Sequence, residues 1–151
     1  MEQAVVAAGC FWGVQHFFEQ LDGVCLTEVG YTGGSVENPS YHDVCRGDTG
    51  HAEAVRLEFD PDLITYEEVI RHFFQCHNPT TLNSQGPDYG TQYRSAVFYC
   101  DARQRDTANK VMAQLQAEAC FSDPIVTQVT PFSVFYRAEE SHQHYLRRHR
   151  Q

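Results

Sequence analysis

The chain has 151 residues, 42% of them hydrophobic, and a formal net charge of −9 from 20 acids against 11 bases. That length suits one globular domain around a single core, and the excess of acids argues against a nucleic-acid surface, where lysine and arginine must meet phosphates. No apolar run approaches the roughly 20 residues needed to span a bilayer, and Met1-Glu2-Gln3 lacks the basic start of a secretory signal, so a soluble cytoplasmic protein is expected.

Residues 3–8 read as a buried strand, and 12–20 as a helix with Val14, Phe17, Phe18 and Leu21 on one face, ended by Asp22-Gly23. Residues 24–31 read as a strand running into the turn-rich Thr32-Gly33-Gly34-Ser35 and Asn38-Pro39. A strand over about 52–59 alternates Ala52, Ala54, Arg56 and Glu58 with Glu53, Val55, Leu57 and Phe59, and Asp60-Pro61 stops it. Thr65 with Glu67 and Glu68 predicts an N-cap and an acidic first turn for a helix to about Cys76. Residues 78–92 hold the turn formers Asn78, Pro79, Asn83, Gly86, Pro87, Asp88 and Gly90, the longest irregular stretch. Long loops in compact domains tend to carry function. A strand at 93–100, a helix from about 102 to 119, strands near 125–130 and 133–136, and a terminal helix near 139–147 complete the chain. The pattern predicts an α+β fold: a single domain with a mixed β-sheet and helices packed on it, a two-layer, ferredoxin-like α/β roll.

Cysteines at 10, 25, 45, 76, 100 and 120 are spread evenly and never form C-x-x-C, which suits neither a small disulfide scaffold nor a zinc site. Cys100, after Ala96-Val97-Phe98-Tyr99, reads as a core residue, and Cys25, Cys76 and Cys120 as structural. His72, Cys76 and His77 have helical spacing but share an amphipathic pattern with Val69, Ile70, Phe73 and Phe74, so a packed or solvated helix face is expected rather than a metal site. The basic ending Arg147-Arg148-His149-Arg150 follows a helical-looking segment, where cations complement a helix C-terminus. Gly30-Tyr31-Thr32-Gly33-Gly34 lacks the Lys-Ser/Thr of a phosphate loop, and no bound cofactor is expected.

Chemistry concentrates at Gly9-Cys10-Phe11-Trp12-Gly13. A thiol at the start of a helix meets unpaired N–H groups and a partial positive charge, which predicts a pKa below the free value of roughly 8.5. Phe11 and Trp12 could wall an apolar pocket beside it. The alternative is a buried structural cysteine. Glu53 shares a strand face with Val55, Leu57 and Phe59, where burial would raise its pKa and make it a general acid; alternatively it caps the strand's solvent end. Tyr41, Asp88 and Tyr93 stand in or beside turn-rich segments, and periodicity does not bring them together.

Four segments nevertheless resemble the A class of peptide methionine sulfoxide reductases: Gly9-Cys10-Phe11-Trp12-Gly13; Gly30-Tyr31-Thr32-Gly33-Gly34 with Asn38-Pro39-Ser40-Tyr41; Gly47-Asp48-Thr49-Gly50-His51-Ala52-Glu53-Ala54-Val55; and Asp88-Tyr89-Gly90-Thr91-Gln92-Tyr93-Arg94-Ser95. They occur in the family's order, and Ala138 to Leu146 resembles its last helix. The resemblance implies one such domain over 1–151. It implies Cys10 as nucleophile on the sulfoxide sulfur, Glu53 as proton donor to its oxygen, and Tyr41 and Tyr93 as hydrogen-bond donors to that oxygen. Asp88 would support the pocket, and Phe11 and Trp12 would hold the methyl group. It further implies the S epimer, free or in proteins, and a sulfenic acid on Cys10. Many relatives carry recycling cysteines on a Gly-rich tail, absent before Gln151. Three routes follow: direct reduction by thioredoxin, glutaredoxin or a small thiol; an internal cysteine, with Cys45 leading; or a truncated tail. A thiol peroxidase and a non-catalytic module that binds oxidised methionine are the competing functions.

Overall fold

The computed structural model describes residues 1–149. Strand β1 (Glu2–Ala8) ends at Gly9, whose φ of +96° turns the chain directly into helix α1 (Phe11–Glu19). A Cβ at Gly9 would lie 2.9 Å from the Gln85 side chain, so both the turn and the close approach need glycine. Strand β2 (Val24–Thr32), a one-turn helix α2 (Tyr41–Cys45) and strand β3 (Ala52–Phe59) follow. Helix α3 (Tyr66–Gln75) opens with a capping box in which the Glu68 N–H donates to Thr65 Oγ1 and the Thr65 N–H to Glu68 Oε1, both at 3.1 Å. Such a cap is worth about 1 kcal/mol.

The stretch 78–92, read as irregular, contains a two-stranded ribbon, β4 (Ser84–Gln85) with β5 (Asp88–Tyr89), and leads into a 3-10 turn, Thr91–Tyr93. Then come β6 (Ser95–Tyr99), α4 (Ala102–Ala117), β7 (Gln128–Pro131) and β8 (Phe135–Arg137). The terminal helix expected over 139–147 is broken into a 3-10 turn (Glu140–His142) and helix α5 (Tyr145–Arg148), with His144 between them at φ +53°. The break has a cause. Gln143 is buried, and its amide donates to the carbonyls of Val29 and Ala138 and accepts from the Val29 N–H, bonds that pull the segment onto β2. Of the basic ending, Arg150 lies outside the described residues.

The sheet order is β7-β6-β1-β3-β2-β8, antiparallel except for the parallel β6–β7 pair, and its central strands have the ferredoxin-like order β6-β1-β3-β2. One face, with Ala4, Val6, Val29, Tyr31, Val55, Leu57, Phe59 and Val97, packs on α1, α3 and α4. The other, with Val5, Ala7, Ala52, Ala54, Ala96 and Phe98, is covered by Phe132 and Phe135. No described helix is long and apolar enough to cross a membrane.

Cys25, Cys100 and Cys120 are exposed, not core residues. Cys100 leaves the sheet at the turn into α4, one residue after β6 ends, so the strand's alternation no longer governs it. His77 is committed elsewhere: it bonds the Phe73 carbonyl at 2.8 Å through Nδ1 and Ser95 Oγ at 2.7 Å through Nε2, and burial holds its pKa down at about 4. A neutral ring that donates from Nδ1 and accepts at Nε2 fits both bonds. Among the described residues no group of three His, Cys, Asp or Glu is placed to hold a metal.

Candidate active site

The register Val6↔Val55 with Tyr31↔Glu53 puts Cys10, just past β1, at the same sheet end as Glu53 near the start of β3 and Tyr31 near the end of β2. Glu53 is 1% exposed. Its Oε1 accepts from the Phe11 N–H at 3.2 Å, and its Oε2 has no partner. Burial pushes the carboxyl up to about 7, the Phe11 N–H opposes that rise, and the negative charge of Asp88 adds to it. Glu53 therefore lies on the buried face, not at the strand's solvent end.

The Cys10 thiol departs from expectation. Burial pushes it up to about 11; the Trp12 and Gly13 N–H groups favour the thiolate, as the helix start predicts, but the charges of Glu53 and Asp88 oppose them. Desolvation and two nearby carboxylates outweigh the helix N-terminus.

Tyr41 opens α2, whose own capping box pairs Ser40 with Asp43. Tyr93 closes the 3-10 turn, and Gln92 ties that turn to α2 by donating from Nε2 to the Cys45 carbonyl at 3.4 Å. Burial pushes the Tyr93 hydroxyl up to about 12, helped by charges on Glu53, Cys45, Asp88 and Cys10, which marks the cluster these groups form. Tyr41 is also raised, first by burial and then by its neighbour Cys45. Both phenols stay protonated and remain donors at neutral pH. Cys10, Glu53, Tyr41, Asp88 and Tyr93 thus lie within electrostatic reach of one another at this end of the sheet.

Phe11 is wholly buried, its ring 5.7 Å from that of Tyr31 and 6.1 Å from that of Tyr41, so Trp12 presents the accessible aromatic surface. The periodicity reading missed what holds these groups. Trp12 stacks on Tyr145 at 3.9 Å and donates from Nε1 to Nδ1 of His142 at 3.0 Å. The Glu139 carboxylate accepts from the Tyr31 hydroxyl and the Tyr41 N–H, both at 3.0 Å. Partial burial opposes ionisation of Glu139, but these donors hold its carboxyl below the usual range. Residues 139–147 read only as a terminal helix, and nothing in their spacing marked Glu139, His142 and Tyr145 as anchors.

The family model of peptide methionine sulfoxide reductases matches residues 2–151. The chain belongs to the peptide methionine sulfoxide reductase family. A methionine sulfoxide reductase of this family from Methanothermobacter thermautotrophicus is 52% identical over 145 residues, 96% of this chain and 86% of that one. The reduced form of Mxr1 from Saccharomyces cerevisiae superimposes with a TM-score of 0.93 at 38% identity, covering 99% of this reductase and 86% of Mxr1. Mxr1 in complex with Trx2 aligns with a TM-score of 0.67 at 25% identity over 95% and 84% of the two chains. The curled mixed sheet with helices on one face is the fold of this reductase family.

Proposed function

We propose that the protein, as one domain over 1–151, reduces methionine-S-sulfoxide, free or in oxidised proteins, with Cys10 as nucleophile and Glu53 as general acid. The observation that carries this reading is the buried, unpartnered Oε2 of Glu53, on a carboxyl group whose pKa of about 7 leaves it partly protonated near neutral pH.

At neutral pH the thiol and carboxyl share protons. The state with Cys10 as thiolate and Glu53 as acid carries the same charge as thiol plus carboxylate, and it is the reactive minor form. Cys10 sulfur attacks the sulfoxide sulfur while Glu53 gives its proton to the oxygen, and the Tyr41 and Tyr93 hydroxyls donate to that oxygen as charge builds on it. Oxygen then passes from substrate sulfur to Cys10, giving methionine and a Cys10 sulfenic acid. The proton once held by the thiol ends on that acid, so the half-reaction consumes none. Aromatic surface at Trp12, backed by Phe11, receives the methyl group opposite the hydroxyl donors, and those opposed contacts select one epimer at sulfur. Burial is the main cause that raises the pKa of both ionisable groups, and the charge of Asp88 adds to the rise.

Thiols return the enzyme to its starting state: two reductant thiols and the sulfenic acid give a disulfide, water and the Cys10 thiol. A thioredoxin-type protein is the proposed reductant, supported by a relative solved with Trx2, and glutaredoxin or a small thiol would do the same chemistry. The reading places this in the cytoplasm, where the thiol pool that reduces the enzyme also keeps its cysteines free. No cofactor enters the cycle.

The test is a single turnover. Reduced protein is mixed with limiting racemic methionine sulfoxide and no reductant, and methionine formed and thiols lost are counted per chain by mass spectrometry. One methionine with one thiol lost, trapped as sulfenic acid on Cys10, is expected. Loss of two thiols would replace direct reduction with an internal disulfide, and exposed Cys45, beside Tyr41, is the cysteine to map first. No methionine would overturn the enzyme reading in favour of a binding module.

A further inference from the structure

Arg94 follows Tyr93 in the chain but faces the other way. Ser95 pairs with Ala8 on the helix-covered side of the sheet, so Arg94 falls on the opposite face at the end where Gly9 and Cys10 leave β1. Its Nε donates to Gln128 Oε1 at 3.1 Å and its Nη1 to the Thr91 carbonyl at 2.9 Å. Both partners are neutral. Arg46, Arg56, Arg71, Arg103, Arg105 and Arg137 each have a carboxylate within reach, whereas among the described residues Arg94, like Arg147 and Arg148 near the C-terminus, has none. Burial alone lowers its pKa, with no carboxylate restoring it.

The guanidinium lines a cleft of about 600 Å³ whose other walls include Gly33, Leu82, Phe98, Gln128 and Ser133, and none of the lining residues is acidic. Gly33 has φ +89°, and a Cβ there would sit 2.8 Å from Arg94 Nη2, so glycine keeps open the space beside that nitrogen. The chain carries a net charge of −9, so its overall field repels anions. A cleft free of acids around a half-dehydrated, unpaired guanidinium is a local exception with a clear chemical complement. A carboxylate fits that fork in a bidentate manner, and much of the guanidinium's dehydration cost is already met in the free protein.

We propose that this cleft is a subsite for a carboxylate of the oxidised polypeptide, an acidic side chain or a chain terminus near the methionine sulfoxide. The inference rests on the functional reading above. Asn83 lines the cleft and Gln85, two residues on, packs against Gly9 beside Cys10, so the cleft and the thiol flank the same end of the sheet, while Leu82, 69% exposed, offers apolar contact at the rim. The subsite acts on binding, so it changes KM and leaves kcat alone.

The experiment uses the whole chain with dithiothreitol as reductant and peptides of one length centred on methionine sulfoxide. One peptide is neutral with glutamines and an amidated end, a set carries one glutamate two to five residues to either side, and one has a free C-terminal carboxylate. The expected result is a KM lower by about fivefold for at least one carboxylate placement, lost in about 0.5 M salt. The placement that gains tells side chain from terminus. Arg94→Gln and Ser133→Asp should each abolish that gain and leave kcat/KM for the neutral peptide unchanged. Ser133→Asp supplies an internal partner to Arg94 without removing its bonds to Thr91 and Gln128. Equal KM for neutral and acidic peptides, or a preference that survives Arg94→Gln, overturns the subsite. Failure to reduce even the neutral peptide overturns the reductase reading itself and this role with it.

Discussion

The backbone N–H of Phe11 donates to Oε1 of Glu53 at 3.2 Å, joining the first residue of α1 to β3 across 42 residues of sequence. This bond holds the carboxyl beside the thiol while leaving Oε2 free. From there the charge of Glu53 raises the Cys10 pKa through space.

Glu53→Gln separates activity from stability. Loss of the proton donor should lower the rate of sulfoxide reduction by about 10²-fold or more, measured by single-turnover methionine release. The native carboxyl, moved by burial from 4.5 to about 7, binds a proton that the unfolded chain has released between those values. Native stability therefore falls as pH rises through that window. The variant should be more stable than the parent above pH 7, by at most about 3 kcal/mol and with a higher melting temperature, and lose that advantage below about pH 4.5. Unchanged melting at pH 8 would count against a strained, buried carboxylate.

The pH profile of kcat/KM follows from the shared proton. In the proposed mechanism the reactive form exists only when the Cys10–Glu53 pair holds one proton, so the rate should rise through about pH 7 and fall only as pH approaches about 11. In Glu53→Gln the limb near pH 7 should vanish.

Alkylation by iodoacetamide reads the thiol alone. Removing the Glu53 charge removes one of the influences that raise the Cys10 pKa, so Glu53→Gln should alkylate faster than the parent at pH 8. An equal rate at Cys10, followed by peptide mapping, would show that the two groups do not communicate.

Tyr41→Phe and Tyr93→Phe each remove one O–H donor without changing ring packing. Each should lower kcat by about 10-fold to 10²-fold, and the double variant further, with KM for the sulfoxide little changed. A loss confined to KM would assign both phenols to ground-state binding.

Gln143→Ala tests the anchoring of the C-terminal segment. Gln143 is 3% exposed and makes bonds to Val29 and Ala138, and the substitution takes this partner from the Val29 N–H and the Ala138 carbonyl, while the Val29 carbonyl keeps the Ala138 N–H. A loss of about 2–3 kcal/mol is expected by thermal melting. Trp12 fluorescence should shift with it, because Trp12 is held by His142 and Tyr145 from the same segment.

Strands β1, β2 and β3 and helices α1, α3 and α4 were legible within one or two residues, because alternation, amphipathic spacing and the cap at Thr65 are local signals. The turn from β1 into α1 at Cys10 was legible for the same reason, and Glu53 was marked by the conflict between its charge and its strand face. Helix α2 and the break at His144 were not, since a one-turn helix depends on contacts such as Gln92 to Cys45, and Gln143 bends its segment only when β2 is there to bond it. The Cys10 pKa shows the limit most plainly. A helix start favours a thiolate, and this local influence was visible in the sequence. The opposing burial and the charges of Glu53 and Asp88 come from residues 43 and 78 positions away and exist only once the sheet has closed. Local spacing decides which elements form, while through-space electrostatics and solvent exclusion, which decide how a site reacts, belong to the tertiary structure.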